Sequence, residues 1–269
     1  MLSDVTFGQY YPAKSFVHKM DSRIKLLLLI AYITLIFVVN NFYGFLVIGL
    51  FLVVSIICSK VPLLSILKSM KAIIFLILFT VILNLFFYKT SDPHYLFWII
   101  TKEALIFSAF MALRLIFLVI GSSLLTLTTT PVALTDGIES LLKPLKYIKF
   151  PVHELALVMS IALRFIPILM NETDRIIMAQ KARGADFDSG NIFKRAKALI
   201  PVLIPLLISA FRKAEELGDA MDSRCYSGSK NRTKYRKLKL SWRDGVGLLF
   251  TLIIIAGVIL TKIFLGGVV

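Results

Sequence analysis

The sequence predicts an all-α, polytopic membrane protein with about five transmembrane helices and two long amphipathic helices on the cytoplasmic side. Three observations support this fold class. Of the 269 residues, 58% are hydrophobic and 12% are aromatic, which is more apolar surface than a soluble domain can cover. Apolar runs of roughly 18 residues recur along the chain, near the length that crosses a bilayer. The 31 basic residues are spread unevenly between these runs.

Five apolar runs predict the transmembrane helices, at residues 24–39, 42–58, 72–88, 104–127 and 246–265. Only two asparagines, residues 40 and 41, separate the first run from the second, which predicts a tight turn. The chain therefore divides into an N-terminal transmembrane bundle of about four spans (1–127), a polar region with the long amphipathic helices (128–243) and a C-terminal transmembrane helix (244–269).

The distribution of Lys and Arg predicts the orientation. Of the 31 basic residues, 27 lie before or at the start of the first run, between the second and third, or between the fourth and fifth, and the turn at 40–41 has none. Because cytoplasmic segments carry the excess of basic residues, we expect a multi-pass protein of the cell membrane with a cytoplasmic N-terminus and an extracytoplasmic C-terminus. The net charge of +15 then reflects topology in the lipid bilayer and does not indicate a nucleic-acid partner.

Sequence signatures of catalysis and metal binding are absent. The chain has no G-x-x-x-x-G-K-[ST] loop for nucleotide phosphates, and no second histidine follows His153-Glu154 at the spacing of a zinc helix. The apolar runs lack the clustered carboxylates of an embedded hydrolase. The two cysteines, Cys58 and Cys225, are expected to be free thiols. We therefore expect no catalytic residue, no metal site and no cofactor in this chain.

Two segments between residues 128 and 243 share one pattern. Each begins with an apolar stretch, continues with polar helical turns, and ends in a small residue, an arginine and another small residue. The first ends in Ala182-Arg183-Gly184 and the second in Ser223-Arg224-Cys225, both within the pattern A-x-x-[AS]-R-[GC]. The prolines of the apolar stretches, Pro167, Pro201 and Pro205, are candidate bending points.

We call Ala182-Arg183-Gly184 the first arginine end and Ser223-Arg224-Cys225 the second arginine end. Helices of about 30 residues, at 1.5 Å per residue, place the two ends well apart. An arginine near a helix C-terminus interacts favourably with the macrodipole, so solvated charges are one interpretation. The recurrence favours docking, because a guanidinium binds carboxylates or carbonyls bidentately and small neighbours leave it uncovered.

Two further arginines lie within or beside apolar stretches. Arg114 is the charged residue inside the fourth run, and such residues are functional candidates. A structural role is the other interpretation, with Arg114 bonded to backbone carbonyls or to Asn84. For Arg164, we expect the side chain to extend to the membrane interface.

The chain resembles, over nearly its whole length, the transmembrane T component of energy-coupling factor (ECF) vitamin and metal-ion importers, in the CbiQ/EcfT group. The stretches that carry the resemblance are SSLLTLTTTPVALTDGIESLLKPL, PVHELALVMSIALRFIPILMNETDRIIMAQKARGADF, AMDSRCYSG and YRKLKLSWRD. The resemblance implies a non-catalytic subunit whose two long helices are coupling helices. These helices dock two homologous ABC-type ATPases, which bind ATP and Mg²⁺, and hold a membrane-embedded, substrate-binding S component.

The same resemblance implies that each arginine end is an Ala-Arg-Gly signature that docks one ATPase. Ala182, Arg183 and Gly184 match that signature. At the second end Ser223 and Cys225 stand where Ala and Gly are usual, although both are small.

Two other classes of protein remain as alternatives. A self-contained secondary transporter or channel should show paired intramembrane charges and broken helices in matching halves, and the predicted spans show neither. A membrane-embedded enzyme should show activity in the purified chain alone.

Overall fold

The fold was analysed in a computed structural model, which describes residues 10–71, 73–87, 95–97, 100–187, 191–228 and 240–265. These residues are almost entirely helical. The helices are α1 (Ser22–Val38), α2 (Phe42–Ser59), α3 (Leu63–Lys71), α4 (Ile74–Phe87), α5 (Lys102–Thr128), α6 (Pro131–Leu141), a 3-10 helix (Lys143–Ile148), α7 (Val152–Ala182), α8 (Ile192–Asp222) and α9 (Trp242–Leu265). One short antiparallel strand pair, β1 (Tyr95–Phe97) and β2 (Ile100–Thr101), precedes α5. The predicted all-α class is confirmed.

Within the described residues, four helices are long and apolar enough to cross a membrane, namely α2, α5, α7 and α9. The pair α3 and α4, which is bent by 57°, makes a fifth span if it is counted as one. Helix α1 has 17 residues and extends about 25 Å, slightly less than a hydrocarbon core of about 30 Å. The predicted number of about five spans is therefore confirmed.

The bounds of the individual spans need two corrections. The run predicted at 72–88 contains a helix only at Ile74–Phe87, because the chain bends between α3 and α4; residues 72 and 88 lie outside the described part. Helix α7 was not among the five predicted spans, and Pro167 was a candidate bending point within it. It continues through Pro167 for 31 residues, so its length and composition also permit a span.

The chain packs as two compact units. Among the described residues, the first unit, which we call the bundle, lies within 10–141 and 240–265, and the second lies within 142–228. Helix α6 belongs to the bundle because it packs on α1, and α9 belongs to it because it packs on α1 and α2. The predicted three-part division concerns position in the membrane rather than packing, and it stays a prediction.

The core of the bundle lies among α1, α2, α5 and α9. Its fully buried side chains include Ile36, Ile48 and Val258. Tyr32 of α1 lies against Gly121 of α5, where an added Cβ would overlap the tyrosine ring. The Tyr32 hydroxyl donates a hydrogen bond to the Phe117 carbonyl at 2.8 Å. The missing side chain at Gly121 thus lets two helices approach closely, as small residues do between membrane helices.

Polar contacts join the helices at one end of the bundle. The Lys25 ammonium group donates to the Thr128 carbonyl at 3.0 Å and to the Thr129 hydroxyl at 3.2 Å, which joins the start of α1 to the end of α5. The buried Asp244 carboxylate accepts the Asp21 amide at 2.8 Å and the Ser241 amide at 2.7 Å. The Asp244 side chain thus caps the start of α9, in the way that the acidic residue of a capping box does, and ties α9 to the residue before α1.

Candidate functional site

The first arginine end is the C-terminal cap of α7. Gly184 has φ +86°, the left-handed conformation that favours glycine. Its amide donates to the Lys181 carbonyl at 3.0 Å, and the Ala185 amide donates to the Gln180 carbonyl at 3.0 Å. These two bonds are those of a Schellman motif. The glycine is favoured here by its backbone conformation and not by lack of space, because an added Cβ would meet no atom within 4 Å.

The second arginine end repeats the same cap at the end of α8. The Cys225 amide donates to the Asp222 carbonyl at 2.9 Å, and the Tyr226 amide donates to the Met221 carbonyl at 3.0 Å. Cys225 has φ +55° and so occupies the position of Gly184. A side chain with a Cβ in the left-handed region costs about 1–2 kcal/mol. The second arginine end thus has the same backbone geometry as the first, but a cysteine in place of a glycine at the left-handed position.

Both arginines occupy the cap position itself, and both are exposed. Neither guanidinium makes an ion pair or hydrogen bond to any residue that the structure describes. The flanking residues Ala182, Gly184, Ser223 and Cys225 are exposed as well. Each arginine end therefore presents an uncovered cation at a helix terminus with only small residues beside it.

The two arginine ends lie far apart along α8. The Gln180 side chain, one turn before the first end, lies 3.4 Å from the Pro201 carbonyl in the first half of α8. From Pro201 the helix continues to Asp222, a run of about 31 Å at 1.5 Å per residue. The separation expected from the helix lengths thus follows from this contact.

The three prolines lie inside continuous helices. Pro167 is within α7, and Pro201 and Pro205 are within α8, each of which has 31 residues. Each proline removes one intrahelical hydrogen bond. The role of these positions as bending points stays a prediction.

The last turns of the two helices differ in charge. Lys181 lies in the last turn of α7, where a cation interacts favourably with the macrodipole. The last turn of α8 has no basic residue and contains Asp219 and Asp222, whose charges are unfavourable there. Helix stability alone does not explain the sequence of the second end.

Arg114 joins α5 to the turn between α1 and α2. Its guanidinium donates to the Val39 carbonyl at 2.9 Å and to the Asn40 side chain at 3.1 Å, and it lies 5.9 Å from the centre of the Phe37 ring. The predicted bond to a backbone carbonyl is confirmed. The predicted partner Asn84 is wrong, since the side-chain oxygen that Arg114 contacts is that of Asn40, and the Asn84 amide nitrogen donates to the Thr80 carbonyl in its own helix.

Arg114 lies inside the fourth run, but beside the polar turn between α1 and α2. Helix α5 runs antiparallel to α1, with Thr128 beside Lys25 and Arg114 beside Val39. Arg114 therefore lies level with the end of α1, where the exposed Asn40 amide supplies a polar partner.

Several smaller predictions concern isolated residues. Arg164 is exposed on α7, and its extension to an interface stays a prediction. Cys58 and Cys225 are free and exposed, as predicted. Within the described ranges, no three His, Cys, Asp or Glu residues lie together in a way that would hold a metal ion.

Two residues of structural importance were missed from the sequence. Asp244 was detectable, because Ser241-x-x-Asp244 before an apolar run is the signature of a capping box. Gln180 was not, because its bond to the Pro201 carbonyl depends on how α7 and α8 pack.

The features above define a polytopic helical membrane protein that carries two exposed, equally capped arginine ends. The family model described as CbiQ, "Cobalt transport protein", matches residues 13–235. The chain belongs to this family.

Curated relatives extend the similarity over the whole chain. A protein of Clostridium kluyveri is 51% identical over 269 residues, covering 99% of this chain and 100% of the relative. Proteins of Ruminiclostridium cellulolyticum (49% over 263 residues, 97% and 98% covered) and Bacillus subtilis (43% over 263 residues, 96% and 98% covered) are also similar. All three bear the name "Energy-coupling factor transporter transmembrane protein EcfT". The predicted family resemblance is confirmed.

Proposed function

We propose that this chain is the energy-coupling transmembrane subunit of an ECF vitamin or micronutrient importer. It transmits the ATP-driven motion of two homologous ABC ATPases to a membrane-embedded, substrate-binding S component. The observation that carries the proposal is the repeated helix end, in which an exposed arginine caps each of two 31-residue helices with the same backbone geometry. Two equal ends suit two homologous partners.

Features of the second end support docking over helix stability. Cys225 adopts a left-handed conformation that favours glycine, and Asp219 and Asp222 lie in a last turn that favours cations. Sequences that specify a fold break such local rules mainly at functional sites. An acidic and strained helix end with a free guanidinium fits a surface that completes it on binding.

The outer surface of α8 supports a partner within the membrane. Its exposed large apolar side chains include Phe193, Leu203, Ile204, Leu207, Ile208 and Phe211. Lipid and an apolar S component are the partners whose surfaces match them. The chain itself performs no catalysis in this proposal, and ATP and Mg²⁺ are bound by the ATPases, in keeping with the missing P-loop sequence.

The mechanism follows from the lengths of the helices. Closure of the ATPases draws the two arginine ends together and changes the angle between α7 and α8. The S component held by these helices then turns with them. This is a hinge or shear motion, with Pro167, Pro201 and Pro205 as the bending points.

Orientation is part of the proposal and has its own test. A reporter fused after residue 269 should read as extracytoplasmic, and one inserted at 227–240 as cytoplasmic, because the basic residues concentrate on the cytoplasmic side. A cytoplasmic signal from the C-terminal fusion would contradict the arrangement. Residues 229–239 and 266–269 lie outside the described part of the chain.

The decisive experiment replaces Arg183 and Arg224 with glutamate, singly and together, in the complex with the ATPases and the S component. Losing one charge-assisted contact should cost about 2–5 kcal/mol at its docking site, which is roughly 30-fold to several-thousand-fold in affinity. Each single variant should keep its complex with reduced uptake, because the other end raises the effective concentration. The double variant should release both ATPases while the chain still inserts.

The matched control is the double variant Arg175→Glu and Arg212→Glu, which reverses two exposed charges of the same helices away from their ends. It should retain both ATPases and normal uptake. Normal ATPase retention and transport by the Arg183→Glu, Arg224→Glu variant would refute docking through the arginine ends. Substrate uptake by the chain alone in liposomes would favour the alternative, a self-contained secondary transporter or channel.

A further inference from the structure

Proline 205 leaves one carbonyl of α8 without its usual partner. In an α-helix the amide of residue 205 donates to the carbonyl of residue 201, but a proline has no amide hydrogen. Pro201 is itself a proline, so α8 lacks two successive bonds of one helical face. The Pro201 carbonyl therefore needs a donor from elsewhere.

Gln180 of α7 supplies this donor. Its side-chain Nε2 lies 3.4 Å from the Pro201 carbonyl oxygen. The backbone carbonyl of the same residue accepts the Arg183 amide at 3.1 Å and the Ala185 amide at 3.0 Å. One residue thus holds the cap of the first arginine end with its backbone and α8 with its side chain.

We propose that Gln180 is a positioning residue that replaces the hydrogen bond removed by Pro205 and ties the first arginine end to the proline pair of α8. The proposal rests on the proposed coupling function. A displacement of the first arginine end is then applied to α8 at the point where that helix has lost two of its own bonds. Motion begins at the prolines because the rest of α8 is an uninterrupted helix.

At the second arginine end, the residue that corresponds to Gln180 cannot form this hydrogen bond. Met221 occupies the position of Gln180, since its carbonyl accepts the Tyr226 amide as the Gln180 carbonyl accepts that of Ala185. A methionine side chain has no hydrogen to donate. The two arginine ends therefore share the same cap geometry, but only the first has a side-chain donor at this position that can bond to the neighbouring helix.

Substitutions at residues 180 and 205 test the tie. Gln180→Met gives the first end the side chain of the second and removes the donor at similar size, whereas Gln180→Lys keeps a donor. Pro205→Ala restores the amide that bonds to the Pro201 carbonyl within α8. Removing the Gln180 donor should therefore loosen the contact between α7 and α8 when residue 205 is proline, and should have little effect on it when residue 205 is alanine.

The first measurement uses the full chain in lipid nanodiscs without partners. Spin labels are placed on the native Cys225 and on Ala182→Cys, with Cys58→Ser to remove the other thiol. Gln180→Met should broaden the distribution of distances between the labels, Gln180→Lys should not, and Gln180→Met in the Pro205→Ala background should leave it as narrow as Pro205→Ala alone. Equal broadening in both backgrounds, or none from Gln180→Met, would overturn the proposal.

The second measurement is substrate imported per ATP hydrolysed by the reconstituted complex. Gln180→Met should lower this ratio by about two- to ten-fold, the range expected from one hydrogen bond, with ATPase retention unchanged. An unchanged ratio beside a broadened distance distribution would overturn the role of the tie in coupling. Failure of the docking function appears separately, as ATPase retention that does not depend on Arg183 and Arg224.

Discussion

The contacts within the bundle differ from those within the pair of helices α7 and α8. In the bundle, core side chains from α1, α2 and α9 are fully buried, and polar bonds join helices near both ends of α1. On α7 and α8 the buried side chains among the described residues are Val152, Ala156 and Val202. The Gln180 side chain joins α7 to α8 at the Pro201 carbonyl.

This difference follows from the forces available in a membrane. Lipid tails are as apolar as leucine, so helices associate through close packing of small residues and through polar bonds. The bundle has both, in the Tyr32–Gly121 contact and in the bonds of Lys25, Asp244 and Arg114. Fewer side chains of α7 and α8 are buried, and large apolar residues are exposed on both helices. We therefore expect the arrangement of the bundle to be specified more strongly by its own side chains than the arrangement of the pair.

The largest effect is expected from Gly121→Ala. The new Cβ overlaps the Tyr32 ring, and moving that ring also weakens its bond to the Phe117 carbonyl. Overpacking costs about 1–3 kcal/mol and a lost hydrogen bond about 1 kcal/mol more. The measurement is unfolding of the purified chain in detergent. The control is Gly257→Ala, whose Cβ would lie 3.6 Å from Val47 in ordinary contact; equal losses from both variants would show that the close approach of α1 and α5 is unimportant.

A smaller loss is expected from Arg114→Leu. The Val39 carbonyl lies at the end of α1, beyond the intrahelical bonds, and removing Arg114 leaves it without this donor at about 1–3 kcal/mol. The yield of folded chain should fall, whereas Arg164→Leu, at an exposed position of α7, should leave it unchanged. A stable Arg114→Leu variant that assembles and has lost transport alone would instead assign Arg114 to the transport cycle.

The spans of the bundle were largely predictable from the sequence. The starts of α2 and α5 differ from the predicted runs by two residues or fewer, because polar residues bound these apolar runs. The full length of α7 was not predictable, since Pro167 favours a break and only packing decides whether the helix continues. The packing of α6 on α1 likewise depends on tertiary contacts.

For the candidate site, sequence located the arginine ends and left their geometry open. The recurrence of A-x-x-[AS]-R-[GC] indicated two equivalent positions, and a glycine such as that of the first is typical of a helix C-terminal cap. Cysteine carries no such signal, so the left-handed Cys225 required the structure. The partner of Arg114 was missed because the amide oxygens of Asn40 and Asn84 are equivalent acceptors in the sequence, and only the placement of the helices distinguishes them.

The smallest effects concern the two caps, which differ in the residue at the left-handed position. Gly184→Ala introduces a Cβ at φ +86° and should cost about 1–2 kcal/mol, so amide hydrogen exchange in the last turn of α7 should quicken by roughly 5- to 30-fold. Cys225→Gly relieves the same strain at φ +55° but gives the unfolded chain more freedom. It should therefore slow exchange at the end of α8 by less than Gly184→Ala quickens it in α7. Cys225→Ala is the control, because it removes the thiol and keeps the Cβ, and it should leave exchange unchanged. If Cys225→Ala slows exchange as much as Cys225→Gly does, the thiol rather than the backbone conformation distinguishes the second arginine end from the first.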